Sequence, residues 1–422
     1  MLKHEDNERL VRVGPGTPMG NLLRRYWQPV LLSWELSEND GPPVRVRVLG
    51  EDLIAFRDTN GRIGLLDALC PHRRAPMFYG RNEECGLRCV YHGWKFDVDG
   101  NCVELPTVAD GERIKASITT TSYPCVEKGG AIWAYMGPKE HMPSEPDYEW
   151  MRAPPTHRFL SKNLQSNNYL QAMEGGLDTS HSSFLHNQTI GNNKTVRNLD
   201  GAPRLEIFPT DYGYSYVSFR KFSETERYVR VYQWIMPLQQ MRGDVTDDYG
   251  NRKQVPKIDG HFWVPVDDYH TMTWNFMYGV DQDVPITPEF AENDERRAGR
   301  CKDDFIPGTF QLRRNLSNDH MIDRELQKTT YTGIVGIGTQ DIGVQEGMGP
   351  IVDRTKEKLV GSDAAIVAMR RMLLEATHAL ETEGVVQGLK SPLARNARGY
   401  DCVIPADSDW RNAMATELAP SW

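Results

Sequence analysis

Two short loops constrain this 422-residue chain more than anything else in it: Cys70-Pro71-His72 and Cys89-Val90-Tyr91-His92, each at a predicted β-turn. Every loop offers one thiolate and one imidazole, so the set C-x-H-x16-C-x2-H can chelate either tetrahedral zinc or a [2Fe–2S] cluster with both histidines on one iron. The spacing separates these. Zinc fingers and ribbons usually place two cysteines in one loop and two histidines, or two further cysteines, in the other, whereas here both loops carry one of each. Two alike loops can then serve two unlike irons. The cysteines take the inner iron and the neutral histidines the outer, where imidazole in place of thiolate raises the reduction potential.

The surrounding pattern is that of short strands from about residue 44 to 136. Val44-Arg45-Val46-Arg47-Val48 alternates apolar and charged side chains, which predicts buried valines and solvated arginines. Asn60-Gly61 predicts a two-residue hairpin, Asp99-Gly100 predicts another after a strand over 91–98, and Gly129-Gly130 precedes the strand Ala131–Tyr135. Cys85, off the ligand pattern, is expected in the core. From Gly137 to Pro155 proline and charge accumulate without apolar periodicity, a candidate domain boundary. Beyond it a helix is expected near Tyr169–Ser180, with strands at Tyr212–Arg220, Tyr228–Met236, His261–Val266 and Thr271–Tyr278. A late helix capped by Ser362 is expected to bury Ile366, Met369, Leu373 and Leu380, with Arg370 and Arg371 on its other face. The second half is therefore mixed α+β.

A second constellation lies in that half. Asp178-Thr179-Ser180-His181-Ser182-Ser183-Phe184-Leu185-His186 reads D-x2-H-x4-H. Asp178 and His181 are expected on one helix face, whereas His181 and His186 diverge by about 140° on an ideal helix. The two histidines meet only if the helix ends or bends, which Ser182-Ser183 permits because serines compete for backbone hydrogen bonds. Two histidines and a carboxylate on one side of a metal leave open positions where O2 binds. A solvated helix end with two ordinary histidines is the plain alternative.

Taken together, Cys70–Arg73, Cys89–Trp94 and Glu174-x3-Asp178-x2-His181-x4-His186 resemble the Rieske ring-hydroxylating oxygenases. The opening Gly14–Leu22 with Arg24-Arg25-Tyr26-Trp27 is similar to the α-only group that includes phthalate dioxygenase and 5,5'-dehydrodivanillate O-demethylase. The resemblance implies an α+β protein: an N-terminal segment (1–26), an all-β Rieske domain (27–137), a linker (138–155) and a helix-grip, START-like catalytic domain (156–422). It implies a [2Fe–2S] cluster on Cys70, His72, Cys89 and His92, and a mononuclear Fe(II) on His181, His186 and Asp341. Asp341 lies in a segment, Thr339–Glu346, that resembles the family's third-ligand segment, with Gln340 where relatives often carry glutamate; Glu346 and Asp353 are the fallbacks. Asp178 is implied as an electron-transfer bridge from His181 to His92 of an adjacent subunit in a head-to-tail homotrimer, with stacked trimers as the open alternative. The implied partners are a flavin and iron–sulfur reductase fed by NAD(P)H, O2 and an aromatic acid.

Composition bounds the remainder. A formal net charge of -9 argues against nucleic acid as main partner, and no stretch approaches the ~20 apolar residues of a membrane span, so a soluble, cytoplasmic protein is expected. Seven unevenly spaced cysteines do not form a disulfide framework. The leading expectation is hydroxylation of a phthalate-type aromatic carboxylate, with O-demethylation of a methoxylated aromatic acid as runner-up. A pure Rieske electron carrier would need only the first domain, and a zinc module would be colourless. Arg204, Arg230 and Arg242 are candidates to pair with a substrate carboxylate, and Asn168 and Gln171 could point at the iron pocket or merely cap and pack.

Overall fold

The computed structural model describes residues 2–192, 194–389 and 391–422. Two compact units emerge, Val13–Pro146 and a second in which Met1–Arg12 joins Asp147–Trp422.

The first unit holds β1 (Trp27–Leu32), β2 (Val44–Val48), β3 (Glu51–Arg57), β4 (Ile63–Asp67), β5 (Arg81–Glu83), β6 (Gly86–Arg88), β7 (Lys95–Phe96), β8 (Cys102–Glu104), β9 (Cys125–Lys128) and β10 (Ala131–Tyr135). They form antiparallel sheets β1-β10-β9, β2-β3-β4 and β5-β6-β7-β8. Val46 and Val48 are buried and both arginines of β2 are exposed, as the alternation requires. Gly129 and Gly130 are both left-handed, at φ 66° and 89°, and make the two-residue turn between β9 and β10.

The other two turns differ from the two-residue expectation. Only Gly61 and Gly100 take positive φ, and the turns start one residue earlier, at aspartates. Asp58 Oδ1 accepts from the backbone N–H of Asn60 (2.9 Å) and Arg62 (2.8 Å). Asp97 Oδ1 does the same for Asp99 (3.0 Å) and Asn101 (2.8 Å). The carboxylate supplies the partners that a longer loop otherwise lacks, so it outcompetes the tighter turn. Residues 91–94 are turn rather than strand, because the second ligand loop occupies them. Cys85 is not in the core: with Glu84 it forms the left-handed, half-exposed tip between β5 and β6.

The second unit is built on β11 (Arg158–Gln165), β12 (Arg204–Pro209), β13 (Gly213–Lys221), β14 (Glu226–Ile235), β15 (Gln239–Thr246), β16 (Arg252–Pro265), β17 (Thr271–Gly279) and β18 (Tyr400–Pro405). These make one antiparallel sheet, β11-β17-β16-β15-β14-β13-β12, with β18 also paired to β14. Its two faces are unlike. One is apolar, with Trp150 stacked at 4.8 Å on Phe276 and 6.2 Å from Phe262. The other carries Asn163 opposite Thr273, Asn275 opposite His261, His261 opposite Gln240 and Asp259 opposite Arg242. Helices Tyr169–Leu177 and Ile337–Gly347 cover this polar face, and Gly176 is needed there because a Cβ would overlap the Trp263 ring. Polar groups turned inward must either pair or face a cavity. Here they line one.

Helix Tyr169–Leu177 is anchored from below by Glu174, which accepts from Arg354 Nε (2.9 Å) and Nη2 (2.8 Å) and from Arg370 Nε (2.7 Å). Arg370 is therefore not on a solvated face: it lies buried on helix Ala364–Glu383 between Glu174 and Glu357, since two carboxylates converge on it. The N-cap of that helix is Asp363 rather than Ser362. Asn168 caps Leu170 N–H and donates to Val11 and Asp268 carbonyls, and Gln171 bonds to Gln345, Gly349 and Val352, so both cap and pack. Among the described residues no helix is long and apolar enough to cross a membrane.

Burial pushes the Glu174 carboxyl up, but the charges and hydrogen bonds of Arg354 and Arg370 outweigh it and hold it below its ordinary value. Its contribution to stability is thus whole above the ordinary carboxylate range and is lost as pH falls through the depressed folded value. Glu174→Ala leaves Arg354, 0% exposed, without its carboxylate. The expected cost is about 3–5 kcal/mol, read as a lower urea midpoint; an unchanged midpoint would show the anchor to be idle.

Candidate metal centres and the pocket between sheet and helices

The two ligand loops are built alike. Cys70 N–H bonds to Ala75 O (2.9 Å) and Cys89 N–H to Trp94 O (2.8 Å), while Arg74 and Gly93 return N–H bonds of 2.8 and 2.9 Å to the respective cysteine carbonyls. Both returning residues are left-handed, at φ 58° and 74°. The cysteines sink into the apolar core with Ile54, Phe56 and Phe96, and the imidazoles of His72 and His92 stay above it with ring centroids 4.5 Å apart. Trp94 stacks flat on His72 at 4.2 Å. Burial, against a backbone hydrogen bond from His72 and with Cys89 alongside, pushes the Cys70 thiol up to about 11. His92 Nδ1 is buried with no partner among the described residues. Adjacent buried sulfurs and an orphaned imidazole nitrogen suit a bound cation that turns thiols into thiolates and uses the idle lone pair.

In the second unit the helix ends at Leu177, four residues before His181. Asp178 is its extended C-cap, at ψ 128°, and takes the Ser180 N–H on Oδ1 at 2.7 Å, so the chain turns before His181 and opens a 3-10 turn over His181–Ser183. Asp178 and His181 therefore do not share a helix face; the break falls ahead of the first histidine, not at Ser182-Ser183. The turn brings His181 Nε2 to 3.1 Å from His186 Nε2, and Asp341 Oδ1 lies 3.4 and 3.3 Å from the two nitrogens. Glu346 instead accepts from Ser166 N–H, and Asp353 from Thr355, so neither fallback joins the group.

Gln340 decides the tautomer of His186. Its Nε2 donates to Ile334 O (2.9 Å), so its Oε1 faces His186 Nδ1 at 2.8 Å and must accept from it. His186 Nε2 then carries a lone pair. His181 Nδ1 faces Asp178 Oδ2 at 3.5 Å, which turns the Nε2 lone pair of that ring the same way. Two lone pairs and a carboxylate oxygen converge on a point about 2 Å from each, the bond length of a divalent metal. Without a cation such a cluster repels itself, so these residues fit a mononuclear iron.

The polar face of the sheet and the two helices enclose a cavity of about 170 Å³ beside this group, room for one substituted aromatic ring. Arg242 lines it, and its guanidinium makes no hydrogen bond or ion pair among the described residues, whereas Arg230 is spent on Gly243 O at 2.9 Å. Arg204 lies exposed on β12, paired with Glu206, and is absent from the cavity. Asn163, His261 and Asn275 also line the cavity and escaped sequence reasoning; polar residues at alternate positions in Thr271–Tyr278 were the only signal, and they mimic a solvated strand face.

A fold whose paired loops fit a [2Fe–2S] cluster, in a chain that also presents a candidate metal triad beside a ring-sized cavity, matches a Rieske-type oxygenase. Comparison bears this out: residues 26–124 match the Rieske [2Fe-2S] domain and residues 134–419 the family described as LigXa C-terminal domain like, and the chain belongs to that family of Rieske oxygenase subunits. It is 36% identical to the phthalate 4,5-dioxygenase oxygenase subunit of Pseudomonas putida, over 98% of this chain and 95% of that one. It is 33% identical to the 5,5'-dehydrodivanillate O-demethylase oxygenase subunit of Sphingobium sp., over 89% and 80%. The fold is shared with dicamba monooxygenase bound to dicamba, with a TM-score of 0.60 at 18% identity, covering 86% of this chain and 99% of that one. The protein is thus an oxygenase component that uses a [2Fe–2S] cluster and a mononuclear iron.

Gln340 orients a candidate iron ligand, and partners of this kind are worth about 10–100-fold in metal affinity. Gln340→Leu is expected to weaken Fe(II) binding by that factor in chelator competition while acid-labile sulfide stays at wild-type level. Equal Fe(II) affinity would deny Gln340 this role.

Proposed function

We propose that this chain hydroxylates an aromatic carboxylate, with Cys70, His72, Cys89 and His92 holding the cluster and His181, His186 and Asp341 holding the iron. The observation that carries the substrate class is Arg242, a guanidinium with no hydrogen bond or ion pair among the described residues, in a ring-sized cavity beside the triad. A fork of N–H donors there is matched by a carboxylate. When bound, the iron activates O2 reductively, with single electrons relayed through the cluster from a separate flavin and iron–sulfur reductase fed by NAD(P)H. Asp178 keeps His181 in the tautomer that offers Nε2 and, in a head-to-tail homotrimer, links it to His92 of the partner subunit. The triad side chains and helix Tyr169–Leu177 close one wall of the cavity, and the sheet closes the other.

The test is incubation of fully loaded protein with reductase, NADH, labelled O2 and a panel of aromatic acids. Label is expected in the product, and Arg242→Met is expected to raise KM about 10–100-fold, the loss of a charge-assisted hydrogen-bonded pair. A panel that takes up no label sinks the substrate class. O-demethylation is the second reading, favoured by the name of the Sphingobium relative, and release of formaldehyde from a methoxylated acid separates the two.

The bridging role has its own measurement. Asp178→Asn is expected to keep both metals at wild-type content yet to slow oxidation of the prereduced cluster by about 10–100-fold in a single turnover with substrate and O2. A cluster that reoxidises at the wild-type rate excludes the bridge.

A further inference from the structure

The wall of the cavity away from the triad carries a chain of hydrogen bonds whose direction is fixed from one end. Glu295, 3% exposed, is held by Arg300 through Nε at 3.0 and 3.1 Å and Nη2 at 2.9 Å. A paired carboxylate only accepts, so Ser161 Oγ, 2.8 Å from Glu295 Oε2, spends its proton there. Ser161 has only lone pairs left for Asn275, which therefore turns Nδ2 toward it (3.3 Å) and toward Asn163 Oδ1 (3.1 Å). Asn275 Oδ1 is then on the other side, 3.0 Å from His261 Nδ1, and accepts its N–H.

Two free positions follow. His261 has its proton on Nδ1, so Nε2 is a bare acceptor; burial and the charges of Arg242 and Arg300, against Asp259 and the Asn275 bond, push its pKa down to about 3 and keep the ring neutral. Asn163 has its oxygen engaged, so Nδ2 is a donor with no partner among the described residues, although the residue is only 2% exposed. Both residues line the cavity. A buried donor left unpaired is costly, and the bare lone pair of a neutral imidazole offers an anionic oxygen no hydrogen to accept.

We infer that Asn163 and His261 form a subsite for a hydroxyl on the substrate ring, His261 Nε2 accepting a hydrogen bond from its O–H and Asn163 Nδ2 donating one to its oxygen. This rests on the reading of Arg242 as the carboxylate site. Arg242 pairs with Asp259 across β15 and β16, which makes His261 its diagonal neighbour. Diagonal neighbours stand about 7–8 Å apart, the span of one substituted ring. A second carboxylate or a methyl ether has no proton to give His261. The ligand class is therefore a ring-hydroxylated aromatic acid, not a dicarboxylate.

The test is anaerobic calorimetry on protein loaded with both metals, using benzoate and the complete sets of hydroxybenzoates, methoxybenzoates and benzenedicarboxylates. At one ring position at least, the hydroxy acid is expected to bind about 10–100-fold tighter than its methyl ether, its dicarboxylate and benzoate, the discrimination of a site left with unpaired buried groups. In His261→Phe and in Asn163→Ala that preference is expected to shrink to about threefold or less. The wild-type ranking decides even if neither variant folds. Hydroxy acids no tighter than benzoate overturn the subsite and leave the carboxylate reading standing. If no aromatic acid binds at all, the carboxylate reading fails and the subsite with it.

Discussion

Two imidazole lone pairs and a carboxylate oxygen held within 3.4 Å of one another repel, and the second unit is arranged to keep them there. The histidines come from a turn just after helix Tyr169–Leu177, and Asp341 from helix Ile337–Gly347. Neither position is held locally. Glu174 ties the first helix to Arg354 and Arg370, and Gln165 and Gln171 tie both helices and β11 together through Gln345. The convergence of the triad is a property of this scaffold, and a bound cation converts its repulsion into attraction.

The sheet completes the site by inverting the usual use of alternation. Its apolar face packs on Trp150, so the fold draws its hydrophobic stabilisation from one side and leaves the other free for Asn163, His261, Asn275 and Arg242. Those side chains remain inside because each is paired or faces the cavity. The ion pair between Glu295 and Arg300 does more than balance charge: through Ser161 and Asn275 it sets which nitrogen of a histidine is bare. The cavity is thus specified by hydrogen-bond direction as well as by shape.

The first unit solves a different problem, presenting two soft and two borderline donors from a small β scaffold. It uses one loop design twice, with the same pair of backbone hydrogen bonds and a left-handed fifth residue in each. Arg74 and Gly93 fill that position in the two loops. At Gly93 a side chain would press on Pro106, which explains why glycine stands there and a longer residue suffices at position 74. Sulfur goes down into the core and imidazole up toward solvent in both loops, so the polarity of the surroundings separates the two ligand types.

The sequence by itself determined what depends on neighbours along the chain. The cysteine and histidine spacing, the alternation of Val44–Val48, the Gly129-Gly130 turn and the division into a β half and an α+β half are local, and each reads directly. Tertiary structure alone decided the rest, because those outcomes depend on what arrives from far away. Arg370 looked solvated until Glu174 and Glu357 met it, and Thr273 and Asn275 matched a wet strand face until two helices covered them. The Arg242 guanidinium left unpaired among the described residues and the proton on His261 follow from contacts between residues tens to hundreds apart in sequence. No local pattern encodes where such partners fall.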